Sequence, residues 1–159
     1  MSIAAPRAEY LEFLKPFGAE ITALAVATRQ LVLRAAPGCS ELIYDAYNAV
    51  ATGYSFTGRP SDAFVHIAVY ARWVNLGFNR GSLLKDPEKR LVGAGRWIRH
   101  VRISQLRDLK SPALKALVKA AVEDAMMPAV PRQGDSVVRA IYARKRRPIT
   151  RTDQGSSTI

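Results

Sequence analysis

The chain of 159 residues carries 24 Lys and Arg against 13 Asp and Glu, a formal charge of +11, with 48% hydrophobic and 23% charged residues. That length suits one domain with one ordinary core, and the composition excludes a disordered or fibrous chain. The single cysteine, Cys39, excludes an internal disulfide and a multi-cysteine zinc centre, and every apolar run falls well short of the ~20 residues of a membrane span.

The opening residues, MSIAAPRAEYLEF, lack a basic segment followed by an apolar one, so a cytoplasmic protein with no membrane association is expected. Tyr10, Leu14 and Phe17 share one face of a short helical turn that Pro16 and Gly18 end. Beyond it Ile21, Leu24, Ala25, Leu31, Val32 and Ala35 recur at helical spacing, which predicts a helix over 19–36 closed by the APG that follows. Cys39 then falls in a loop.

The pattern next changes to short runs rich in β-branched and aromatic residues. AVATGYSF (49–56), AFVHIAVY (63–70) and WVNLGF (73–78) predict three strands, and RWIRHVRIS (96–104) a fourth. In the last run Trp97, Arg99, Val101 and Ile103 alternate with Arg96, Ile98, His100 and Arg102, so the two sets face opposite sides. Connections this short favour antiparallel neighbours, because parallel ones need a long crossover.

Asp86-Pro87 predicts the start of a short helix toward Leu91, and Ser111-Pro112 the start of a longer one that Pro128 and Pro131 end. Its apolar face holds Leu114, Leu117, Val118, Ala121, Val122 and Ala125. After it the periodicity fades. Val137, Val138, Ile141 and Tyr142 fit one side of a short helix, and RKRRP followed by Ser, Thr and Gly reads as a mobile tail. The reading is an α+β domain over residues 1–131, an antiparallel β-meander of four or more strands packed by N- and C-terminal helices in two layers, with a basic tail over 132–159.

Charge follows that division. Residues 1–131 carry 17 Lys and Arg against 11 Asp and Glu, and residues 132–159 carry 7 against 2, so nearly half the excess lies in the last 28 residues. This favours anionic partners and leaves the fold open.

No complete catalytic constellation emerges, and no catalytic residue is assigned. No G-x-S-x-G turn is present, and the glycines of LVGAGRW precede a strand instead of following one, which is the wrong order for a dinucleotide loop. No cofactor is expected. His66 and His100 lie in separate strands with no third metal ligand at a telling spacing, so no metal site is assigned. What remains is YDAYNA with NLGFNRG and the two histidines: Tyr44, Asp45, Tyr47, Asn48, His66, Asn75, Asn79, Arg80 and His100 mix flat apolar surface with donors and acceptors, as small-molecule pockets do. An alternative is sequence-independent nucleic-acid binding through Arg96 and Arg102 on the Arg-rich strand and Arg144, Lys145, Arg146 and Arg147 in the tail.

The motifs YDAYNAVATGY, SDAFVHIAVYARWVNLGFNRG, L..G.GRWIRHVRI and SPALKALVKAAVEDA resemble those of the YdhG-like family, also called domain of unknown function 1801, over about residues 10–126. The resemblance implies a curved antiparallel sheet with helices packed on it, similar to frataxin, and some relatives are labelled iron chaperones. Iron delivery favours carboxylate-rich surfaces, whereas Glu9, Glu12 and Glu20 are dispersed in a chain of charge +11. The expectation is therefore a small ligand-binding or adaptor domain for a small anionic ligand or a protein partner, with nucleic-acid binding and metal carriage as alternatives.

Overall fold

A computed structural model describes residues 3–148. Among them three α-helices, α1 (Ala8–Leu14), α2 (Ala19–Ala35) and α3 (Pro112–Glu123), accompany six strands: β1 (Ser40–Asp45), β2 (Val50–Ser55), β3 (Val65–Val69), β4 (Val74–Phe78), β5 (Arg99–Ile103) and β6 (Ser136–Ile141). The strands form one sheet in the order β5-β4-β3-β2-β1-β6, every neighbouring pair antiparallel except β1 and β6. The domain is α+β, and its sheet is mixed instead of a pure meander.

Helix boundaries follow local chemistry. Gly18, at φ 88°, takes the left-handed backbone that separates α1 and its 3-10 extension from α2. Ser111 caps α3 by accepting from the Leu114 amide at 3.2 Å, with Pro112 at the first helical position. Asp86-Pro87 carries the same device and makes only a turn. The Asp86 carboxylate accepts from the Arg90 and Leu91 amides (2.8 and 2.9 Å), and Lys89 enters the left-handed region at φ 54°, so the predicted helix does not propagate.

The cross-strand register sorts the sheet residues. Rows such as Ile43–Thr52–Ile67–Leu76 and Val50–Val69–Val74–Ile103 face the helices and are buried with Tyr10 and Leu14 of α1, Leu24, Ala25 and Val32 of α2, and Leu114, Leu117, Val118 and Ala121 of α3. The opposite face, with the rows Leu42–Gly53–His66–Gly77–His100 and Tyr44–Ala51–Ala68–Asn75–Arg102, carries no helix. Among the described residues no helix is long and apolar enough to cross a membrane.

Two strands escape the sequence reading for one reason. In β1 the residues turned to the helices are Glu41, Ile43 and Asp45, so two carboxylates occupy core positions and spoil the alternation. Glu41 is held by charge and hydrogen bonds: Arg29 Nε donates to its Oε2 at 2.7 Å, the Tyr54 hydroxyl to the same oxygen at 2.9 Å, and the Ser136 hydroxyl to Oε1 at 2.8 Å. Arg29 also donates to the Ala4 carbonyl at 2.9 Å. Both side chains of the ion pair are nearly sealed, 3% and 4% exposed.

The other missed strand is β6. Residues 136–141 of the expected tail form a strand instead of a helix; they extend the sheet beside β1, so the sheet runs past residue 131. Gly134 allows this return, because its amide donates to the Gly38 carbonyl at 2.9 Å and its Cα lies so near the Cys39 backbone that no Cβ fits. Residues 149–159 of the expected tail lie outside the described residues.

Removing Glu41 strands the Arg29 cation in the core, so Glu41→Ala is expected to lower the unfolding free energy by about 3–5 kcal/mol. Arg29→Met/Glu41→Leu, which removes both charges, is expected to cost less than Glu41→Ala. Urea denaturation followed by circular dichroism measures both, and equal losses would show that the pair is not coupled.

Candidate functional site

A concavity of about 840 Å³ opens where β4 ends and β3 begins. Phe64 and Phe78 form its floor with Ala121 of α3, Leu84, Trp97 and Ile98 from the 79–98 loop form one wall, and Asp124, Met126 and Met127 beyond α3 form the other. Phe64 is steadied by stacking on Phe56, ring centroids 5.1 Å apart. The loop wall is held by Ser82, whose amide donates to the Trp97 carbonyl at 3.0 Å and whose hydroxyl donates to the Arg96 carbonyl at 2.8 Å. Trp97, Met126 and Met127 stay 43%, 58% and 60% exposed, an apolar lining facing solvent.

Charge stands at the mouth. Arg80 and Arg96 lie over the Trp97 ring at 6.0 and 5.0 Å, and Arg80 meets Asp124 only at 3.9 Å, a loose and exposed pair. Asp62, on the rim, is already engaged by the Thr57 hydroxyl (2.7 Å) and by Arg59 Nε (2.9 Å). The Thr57 hydrogen bond, with Arg59 beside it, holds that carboxyl below its ordinary range.

The nine ligand-binding residues expected from sequence fall into three places. Asn79 and Arg80 line the cleft. Tyr44, His66, Asn75 and His100 lie on the helix-free face of the sheet, where the absent Cβ of Gly77 leaves room for the His66 ring to lie over β4. Asp45, Tyr47 and Asn48 stand at the far end of β1 and do not join the cleft. Asp45 is not free to take a ligand: it is buried and ion-paired with Lys145 and Arg147, whose neighbour Arg146 donates its amide to the Tyr47 carbonyl at 2.8 Å.

These contacts also break up the predicted basic patch. Arg96 sits at the cleft, Arg102 at the other end of β5, and residues 144–147 beside β1 and β6, toward the opposite edge of the sheet and roughly 20 Å away at ~4.8 Å per strand. Cys39 is buried, and burial together with the nearby Glu41 charge pushes its thiol up to about 12, so it holds its proton at neutral pH. No three His, Cys, Asp or Glu side chains converge as a metal-binding group among the described residues.

His66 ties the sheet face to the cleft, its Nδ1 donating to Asn79 Oδ1 at 2.8 Å. The cleft residues that sequence reasoning missed, Phe64, Phe78, Leu84, Trp97, Met126 and Met127, are apolar and read as core; the one usable signal was Met126-Met127, a large apolar pair just past the end of an amphipathic helix. Compared with protein-family models, curated proteins and solved structures, the chain matches none.

Burial lowers the pKa of His66 from its ordinary 6.5, the Asn79 hydrogen bond opposes this, and the His100 charge adds to it. The unfolded chain therefore takes up this proton first as pH falls. Stability from neutral His66 is present above about 6.5 and lost below it, toward the lower folded value, with a slope of at most ~1.4 kcal/mol per pH unit. Thermal melts from pH 7.5 to 5 are expected to show that loss, and His66→Gln to flatten it more than His100→Gln; parallel curves for all three proteins would contradict the assignment.

Proposed function

We propose that this domain is a cytoplasmic binding module whose ligand is a small, largely apolar molecule carrying one acidic group, seated in the cleft between the 79–98 loop and the end of α3. The observation that carries the reading is the lining: an aromatic, aliphatic and thioether cavity of about 840 Å³, inside the range of small-molecule sites, with arginines at its mouth. Apolar burial supplies the affinity, and the ligand's acidic group takes Arg80 from its long contact with Asp124, with Asn79 beside it. Met126 and Met127 can reshape around different chain lengths. Membership of the YdhG-like family belongs to the same proposal, supported by the quoted motifs. It supplies no reaction, and the reading assigns no catalytic step to these residues.

Octanoate and 1-anilinonaphthalene-8-sulfonate are suitable probes, each an apolar body with one anionic group. Saturable one-to-one binding and a raised melting temperature are expected for the folded protein. Arg80→Ala is expected to weaken both probes roughly tenfold, the value of one charge-assisted hydrogen bond, and Trp97→Ala and Met127→Glu to abolish saturation. Binding unchanged in all three variants, or no saturable binding, would overturn the reading.

A further inference from the structure

A second concavity, about 330 Å³, lies at the outer edge of β5, at the end of that strand away from the apolar cleft. Three arginines line it: Arg90 from the loop before β5, Arg102 on the strand, and Arg107 from the 3-10 turn before α3. Val101 and Leu114 supply an apolar back wall. The one carboxylate there is Asp108, and it is occupied: its Oδ2 accepts from the Ser104 and Gln105 amides at 2.9 and 3.0 Å. None of the three guanidinium groups forms an ion pair among the described residues.

Arg102 is set in place by a stack. Its guanidinium carbon lies 3.8 Å from the centre of the Trp73 ring, and Trp73 packs in turn against Tyr70 with centroids 5.9 Å apart. A guanidinium laid flat on an indole keeps its outer face and its N–H edge exposed. The adjoining sheet face continues through Asn75, Gly77, His66 and His100 and holds no carboxylate in the two rows paired from β1 to β5. Two polar atoms beside the stack, Trp73 Nε1 and Asn75 Oδ1, are buried without a hydrogen-bond partner. Cations without counter-ions, next to a planar stacking surface, complement a phosphodiester with its base.

We propose that this edge of the sheet binds single-stranded nucleic acid, with successive phosphates paired to Arg90, Arg102 and Arg107 and a neighbouring base stacked on the outer face of Arg102. Arginine forks hold phosphate oxygens in bidentate fashion, and stacking on a guanidinium or aromatic plane is tolerant of base identity. The site is independent of the apolar cleft, and it differs from a mobile basic tail because its cations are placed by β5, the 3-10 turn and Trp73.

The test is fluorescence anisotropy of a 5′-labelled 12-nucleotide single strand at low ionic strength, with salt titration. Three phosphate contacts on a single strand predict a slope of log affinity against log salt of about −2. Arg90→Ala and Arg107→Ala are each expected to weaken binding about tenfold and reduce the slope by about 0.7, and Arg102→Ala to weaken it further through loss of the stack. These side chains are exposed, so circular dichroism is expected to match the parent. Lys119→Ala, on the outer side of α3, and Trp97→Ala, in the cleft, are expected to leave affinity within twofold. No binding at low salt, or equal effects of Lys119→Ala and Arg107→Ala, would overturn the assignment. A mononucleotide or pyrophosphate that binds as tightly as the 12-mer would also overturn it, showing a site for a free phosphorylated metabolite.

Discussion

The ion pair of Arg29 and Glu41 is the constraint on which the rest of the structure depends. An α2 side chain and a β1 side chain, both almost sealed from water, could not stay charged there without each other. The pair also draws in parts of the chain that local sequence would not bring together: Ala4 near the N-terminus, Tyr54 in β2, and Ser136 in β6. Burial and the Glu41 charge raise the Tyr54 pKa, so its hydroxyl stays protonated and donates to the carboxylate. Through Ser136 this group also ties the edge strand β6, which pairs with β1 alone, to the core.

A second effect concerns the surface. Asp45 pairs with both Lys145 and Arg147, Asp62 is held by Thr57 and Arg59, and Asp86 and Asp108 cap local turns. With these carboxylates engaged locally, Arg90, Arg102 and Arg107 form no ion pair among the described residues. The excess charge of +11 is set by composition, but where it is exposed follows from how the carboxylates are used, and that location matters more than its size. It gathers near flat apolar groups in two places, Arg80 and Arg96 over Trp97 and Arg102 over Trp73, where binding of different anionic chemistries is proposed.

Much of this fold was legible in the sequence. The long helix, the helix begun by Ser111-Pro112, and the strands at 50–55, 65–69, 74–78 and 99–103 all followed from periodicity and turn chemistry, because the buried face of each is mainly apolar. β1 was not legible because Glu41 and Asp45 stand where apolar residues are expected, and their partners are 12 or more positions away in the chain. β6 was hidden because an edge strand buries little and its neighbour lies nearly a hundred residues earlier. Of the site, Asn79 and Arg80 were legible as polar residues at a strand end. The cleft's aromatic and thioether lining was not, since nothing local tells a pocket wall from a core.

The account stands on Glu41 as the point that fastens β6 and the N-terminal segment to the sheet. Amide hydrogen exchange of the parent and of Glu41→Gln, compared strand by strand under native conditions, tests this most directly. The account predicts that protection falls at least tenfold in β6 and at the Glu41 amide, which donates to the Asp135 carbonyl, while β4 and β5 keep theirs. Unchanged protection in β6, or an equal loss in all six strands, would contradict it.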